Sequence, residues 1–340
     1  MKRYSCLLLI LLLLSGCTAH PKQPQRKMFE ATYLTLFDTV TTIKGMSDNE
    51  ESFRQTVQVV YDDLEEYHRL FDIYNTYEGL NNLKTVNDNA GIAPVTVDRR
   101  IIDLLLSCQA YQELTNGRVN AAMGSVLQLW HKARSSGIQD PVNAKLPDET
   151  ALLDASTHSD FSAVMIDEAA SSVYISDPNV SLDVGAVAKG WSAQRVAENA
   201  PEGLLISVGG NVCATGPKDS QGTPWVVGIQ NPDGGDYLHT VYLTKGSVVT
   251  SGDYQRSYSV DGVSYHHIID PDTLYPGTLW RSVTVICDDS GTADALSTAL
   301  FLLPQTEGQA LLEICDAEAL WVDSNGNLYY SPGFQSLIRT

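Results

Sequence analysis

Asp294, Ser297 and Thr298 of the segment SGTADALSTALFLLP stand at i, i+3 and i+4, so they share one face of any helix the segment forms. A carboxylate and hydroxyl oxygens, joined by a backbone carbonyl from elsewhere, make an all-oxygen set that suits Mg2+ or Ca2+ and not zinc. The plain alternative is that Ser297 and Thr298 bond back to their own helix. A second segment, SLDVGAVAKG, sets Asp183, Gly185 and Lys189 among small apolar residues. A strand ending at Val184, an unusual turn at Gly185 and a helix from Ala188 to Glu198 would present backbone groups and a lysine to a phosphate. Asp183 would then bond a ligand hydroxyl or ring N–H, or simply cap the helix. A third segment, SYHHIIDPDTLYP, carries His266 and His267 ahead of a tight DPDT turn. Neighbours in extended chain point to opposite faces, so at most one of these histidines enters a given site, and a lone histidine is often structural. In LLISVGGNVCATG, Gly209 and Gly210 allow close backbone approach to a bulky ligand.

These residues need elements to hold them. ATYLTLFDTVTTIKG (Ala31–Gly45) reads as strand from its threonines, valines and aromatics. From Glu50 to Tyr74, apolar residues at three- and four-residue spacing mark an amphipathic helix, with Asp62, Asp63, Glu65 and Glu66 mostly in water. IYNTYEGLNNLKTVNDNAG reads as a polar loop, Asp98–Thr115 as a helix closed by Gly117, and NAAMGSVLQLWHKARSSG as a helix entered through small residues. Beyond Phe161 short strands dominate, interrupted by helices at AVAKGWSAQRVAENA and GTADALSTALFLLP. Helices in the first half and antiparallel-type strands in the second predict an α+β unit with two lobes and no clean linker.

The 340 residues, 43% of them hydrophobic, suffice for one large core. A net charge of −19 makes nucleic acid a poor partner, since such binding rests on phosphate neutralisation. An anionic ligand would need local lysines, arginines or a metal against that background. Met1–Gly16, two basic residues followed by the apolar run Cys6–Leu14, has the make-up of a signal peptide. It ends in LSGC, which resembles the lipobox of bacterial lipoproteins and implies cleavage before Cys17 and a lipid on Cys17; an ordinary secretory signal or uncleaved anchor is the other reading. Residues 17–30, with two prolines, read as a flexible tether, leaving 31–340 as the folded unit. Cys108, Cys213, Cys287 and Cys315 lack metal-site spacing and read as small hydrophobes.

Taken in order, SLDVGAVAKGW, SVGGNVCATG, VVTSGDYQRSY, HIIDPDTLYP and TADALSTALF resemble the ApbE family of FAD:protein FMN transferases. FDTVTTI, FDIYNTYEGLNNLKTVN and GRVNAAMGSVLQLW fit its N-terminal blocks, so the resemblance spans Thr35 to Pro304. It implies a T-shaped, two-lobed α+β fold with an antiparallel sheet core and flanking helices. It also implies transfer of FMN from FAD to a Thr or Ser hydroxyl of an acceptor flavoprotein subunit, with AMP leaving. On that resemblance Mg2+ is held by Asp294, Thr298 and the Ala186 carbonyl, with Ser297 where some members carry a second acid. FAD would meet Phe37, Tyr74, Arg118, Val119, Asn120, Asp183, Lys189 and Ile268, and His267 rather than His266 would be catalytic. A lipid-anchored enzyme at the cell membrane, outside the cytoplasm, is the implied setting. The same site would serve a pyrophosphohydrolase giving FMN and AMP; a lipoprotein that merely binds flavin needs neither base nor metal.

Overall fold

In α1 (Glu50–Phe71), Phe53, Val57, Val60, Leu64, Tyr67, Leu70 and Phe71 are buried as one stripe. Asn49 caps the helix by accepting the Ser52 N–H at 2.9 Å. Glu50 and Glu51 sit at its positive end and His68 and Arg69 at its negative end. Asp62, Glu65 and Glu66 are exposed and Asp63 is half-buried, as a solvated face requires. The computed structural model describes residues 26–339; Cys17 and the signal segment lie outside the described residues.

The chain opens with β1 (Lys27–Tyr33) and β2 (Thr41–Ser47), then α1, α2 (Leu83–Asp88), β3 (Val95–Thr96), α3 (Arg99–Leu114), α4 (Gly124–Gln139) and α5 (Glu149–Ser156). There follow β4 (Val164–Asp167), β5 (Ser172–Ile175), α6 (Ala188–Asn199), β6 (Leu204–Val208), β7 (Asn211–Ala214), β8 (Trp225–Ile229) and β9 (His239–Leu243). The last third holds β10 (Gly246–Gly252), β11 (Tyr258–Val260), β12 (Val263–Tyr265), β13 (Ser282–Cys287), α7 (Ser290–Phe301), α8 (Gln305–Cys315), β14 (Glu318–Val322) and β15 (Leu328–Tyr330).

Eight strands form one antiparallel sheet in the order β1-β2-β6-β7-β10-β13-β14-β15. Alternation along β10 explains how both faces are filled. Val249 joins Val283, Val285 and Trp321 beneath α7, while Val248 turns to the other side with Leu320, Phe334 and the β8–β9 ribbon. Covered on both faces, β10 is buried along most of its length, with small Gly, Ser and Thr residues on either side of its two valines. The fold is α+β, as expected, but its halves interleave: β2 pairs with β6, so the N-terminal hairpin belongs to the sheet of the second half.

Three local expectations need correction. The single strand over Ala31–Gly45 is a hairpin, broken by a turn in which Phe37 and Asp38 adopt φ of 52° and 51°. Strand propensity is high throughout, but long-range bonds fix the turn. The Phe37 N–H donates to His68 Nδ1 at 3.2 Å, and its carbonyl accepts from Arg256 Nη2 at 3.3 Å. β1 also begins at Lys27, so the sheet takes in four residues assigned to the tether. The polar stretch after α1 contains α2, started by a capping box between Asn82 and Thr85. Among the described residues no helix is long and apolar enough to cross a membrane, and Cys108, Cys213, Cys287 and Cys315 are free, the first three buried.

Candidate active site

α6 and α7 meet at Gly190. A Cβ there would overlap the Ser290 carbonyl and the Asp294 side chain, so only glycine permits this approach. Its N–H, a first-turn donor with no partner inside the helix, donates to Asp294 Oδ2 at 2.8 Å. The contact thus fixes the Asp294 carboxylate, and the Ala186 carbonyl, just ahead of the helix, lies outside its hydrogen-bond ladder. Lys189 Nζ lies 3.7 Å from the same oxygen and donates to the Gly185 carbonyl at 3.1 Å. Asp294 is 4% exposed. Burial pushes its carboxyl above the usual range, opposed by Lys189, the Gly190 N–H and Asn211. The Asn211 amide favours the ionised form without completing a hydrogen bond, since its Nδ2 has no partner.

Asp294, Thr298, Ala186 and Lys189 line one cavity of about 340 Å³, together with Phe37, Tyr74, Arg118, Val119, Asn120, Asp183, His267 and Ile268. Residues from the N-terminal turn, the segments after α1 and α3, the α6–α7 seam and the chain after β12 therefore converge as the sequence implied. Ser297 does not join them. Its hydroxyl donates to the Asp294 carbonyl at 2.9 Å and meets Ser251 Oγ at 2.8 Å, the back-bonding alternative, and it lies outside the cavity lining.

Asp183 is not a helix cap: Val187 stands at the N-cap of α6 with no side-chain cap, and the Asp183 carboxylate accepts the Gly185 N–H at 2.8 Å. Gly185 does not hold the unusual turn expected of it, because the glycines with positive φ lie elsewhere; the indispensable glycine of this segment is Gly190. Burial raises the Asp183 carboxyl, against the Gly185 N–H, His131, Arg256 and Lys189. Tyr74, 51% exposed, stacks on His131 with centroids 5.2 Å apart and planes at 30°. Its hydroxyl is pushed up to about 12, by burial first and the Asp183 charge second.

His266 and His267 both border the cavity, so strand alternation, which stops at Tyr265, does not separate them. His266 is structural: Nε2 meets the Gly277 carbonyl at 2.9 Å, Nδ1 accepts the Ile268 N–H at 3.2 Å, and its ring stands edge-on to Phe301. His267 has a buried Nδ1 without a partner. Burial, reinforced by Arg256, Lys189, His266 and Arg134, lowers its imidazole to about 3, so it is neutral at pH 7. Arg118 is spent on the DPDT turn, 2.9 Å from Asp270 and 2.7 Å from Asp272. Asn120 shapes its own loop, donating to the Ser159 carbonyl at 2.8 Å and accepting the Ala122 N–H at 2.9 Å.

Sequence reasoning passed over Arg134, Arg256 and His131, which line the same cavity. Leu127, Trp130, His131 and Arg134 of α4 all face it, so basic residues on an otherwise apolar helical stripe were the available signal.

An α+β fold that gathers oxygen donors, a neutral imidazole and cations into one cavity is the make-up of an enzyme for a phosphorylated substrate. The chain belongs to the ApbE family, whose sequence model matches residues 37–321. A relative from Treponema pallidum, FAD:protein FMN transferase, is 34% identical over 277 residues, covering 76% of this chain and 75% of its own. A relative of the same name from Klebsiella pneumoniae is 32% identical over 278 residues, covering 77% and 84%. The crystal structure of the ApbE protein from Thermotoga maritima superposes with a TM-score of 0.81 at 30% identity, over 92% of this chain and 100% of that one.

Proposed function

We propose that this chain is an FAD:protein FMN transferase that moves the FMN part of FAD onto a Thr or Ser hydroxyl of an acceptor flavoprotein and releases AMP. The observation that carries this reading is the single cavity in which Asp294, Thr298 and Ala186 meet His267. Among the described residues no cluster of three or more His, Cys, Asp or Glu side chains could hold a metal. The donors at the α6–α7 seam are instead one buried carboxylate, one hydroxyl and one carbonyl just ahead of the helix start. That hard-oxygen set fits Mg2+, which takes few protein ligands and completes its shell with water and substrate phosphate oxygens. Bound there, Mg2+ would supply positive charge against the charge gathering on the departing phosphate.

The chain's own residues supply the rest. Tyr74 offers a half-exposed ring against which a flat heterocycle can stack. In the reaction a bond forms between the acceptor hydroxyl oxygen and the FMN phosphorus, and the bridging P–O bond to the AMP half breaks. The hydroxyl proton passes to a base. His267, held neutral and with a nitrogen unclaimed, suits that role. The Arg256 and Lys189 charges contribute to its low basicity, so an anionic substrate that neutralises them makes it a better base.

Lipidation of Cys17 would hold the enzyme at the cell membrane, outside the cytoplasm, with the acceptor in reach. Incubating the full chain with FAD, Mg2+ and a Thr-containing acceptor tests the assignment. Covalent FMN on the acceptor with one AMP per flavin supports it. Free FMN and AMP would make the chain a pyrophosphohydrolase, and unchanged FAD a flavin-binding protein.

A further inference from the structure

Two guanidinium groups in this cavity have no anionic partner. Most other arginines of this acidic chain hold carboxylates, as Arg100 does with Glu66 and Asp98 and Arg281 with Asp253, while Arg69 lies over the Tyr77 ring. Arg134 and Arg256 pair with no carboxylate among the described residues. In a protein with 41 Asp and Glu against 22 Lys and Arg, leaving two arginines unpaired and adjacent runs against the electrostatics of the whole.

Their position is built, not incidental. Arg134, on α4, sets Nη1 3.5 Å from the Arg256 carbonyl and Nη2 3.1 Å from His131 Nδ1. Arg256 reaches across to the Phe37 carbonyl at 3.3 Å and holds φ at 46°, a left-handed backbone that side chains other than glycine seldom adopt. Each guanidinium carries five donors, so most stay free toward the cavity. Burial first and the Arg256 charge second keep the Arg134 guanidinium below its ordinary value, with Tyr74 and Asp183 opposing. Both charges act on His267, and both lie near Tyr74 and Asp183, within the set that borders the reaction centre.

We infer that Arg134 and Arg256 form a diphosphate clamp, a second positive pole distinct from the Asp294–Thr298–Ala186 seam, through which the chain selects a dinucleotide diphosphate over a neutral flavin. This rests on the FAD reading above and names the residues that read the substrate's anionic centre. Guanidinium groups match phosphate oxygens with paired N–H donors, and an exposed lysine would not replace their fork.

The test measures binding of FAD and of riboflavin to the full chain by flavin fluorescence, with Mg2+ and with EDTA, and competes each with inorganic pyrophosphate. Arg134→Gln and Arg256→Gln should each weaken FAD and pyrophosphate about 10- to 100-fold, the range for a lost charge-assisted hydrogen bond. Riboflavin binding should stay within a factor of about two, and Arg256→Lys should restore only part of the loss. Thermal melts of each variant verify folding. Equal loss of FAD and riboflavin would overturn the clamp, showing that the arginines shape the aromatic wall. Unchanged FAD binding with loss only of acceptor labelling would overturn it too, assigning them to the acceptor. Arginine-dependent pyrophosphate binding by a chain that does not take FAD would leave the clamp standing and remove the transferase reading.

Discussion

The α6–α7 seam and the wall made by α4 and the turn at Arg256 line the same cavity and are built in opposite ways. The seam is small residues and backbone: Gly190, Gly291, Ala293 and Asp294 are buried, and a methyl group added at Gly190 has nowhere to go. The wall is long, partly exposed side chains, Tyr74, His131, Arg134 and Arg256, held by stacking and a few long hydrogen bonds. Packing dictates the seam; charge left unsatisfied defines the wall. A site that must grip a small ion needs fixed oxygens, whereas one that admits a large substrate needs side chains free to close on it.

The largest effect should come from the seam. Asp294→Ala should cut FMN transfer on the order of 10³-fold and abolish its response to EDTA, read as covalent flavin fluorescence in a denaturing gel. Retained activity would remove the metal assignment. His267→Ala should slow transfer by about 10²-fold or more while FAD affinity changes little. A collapse of FAD binding would instead make His267 part of the wall.

Gly190→Ala should cost about 1–3 kcal/mol through overpacking and lower the melting temperature by several degrees, along with Mg2+ response. A variant as stable and active as the parent would mean that the two helices can separate freely. The pH dependence follows from His267. Its folded value of about 3 lies below the ordinary value near 6.5, so the unfolded chain binds the proton more tightly. Stability should therefore fall as pH drops from about 6.5 towards 3, and His267→Gln should flatten that slope in melts at pH 7 and pH 5. The smallest effect belongs to Ser297→Ala. With its hydroxyl turned to the Asp294 carbonyl and Ser251, the change should leave Mg2+ dependence within about twofold. A large loss of metal response would return Ser297 to the ligand set.

The same contrast explains what the sequence disclosed. Asp294 and Thr298 at i and i+4, and a lysine followed by glycine at a helix start, are local patterns that survive folding unchanged. Ser297 shared that spacing, and only the position of Ser251 on β10 shows which way its hydroxyl turns. Gly185 and Gly190 look alike in the sequence; which one is indispensable depends on α7 arriving a hundred residues later. The N-terminal hairpin was missed because its turn is pinned by His68 and Arg256, distant in sequence. Arg134 and Arg256 are ordinary residues of an acidic chain until the fold sets them side by side at the cavity with no salt bridge to either among the described residues. The antiparallel sheet itself was legible from the run of short strands, but not the pairing of β2 with β6.

Diffraction from crystals of the full chain soaked with Mn2+ and ADP tests the central claim most directly. The account predicts one anomalous peak at the α6–α7 seam, about 2.0–2.2 Å from an Asp294 oxygen, Thr298 Oγ1 and the Ala186 carbonyl. A peak elsewhere in the cavity, or a seam still closed by Lys189 at saturating metal, would contradict it.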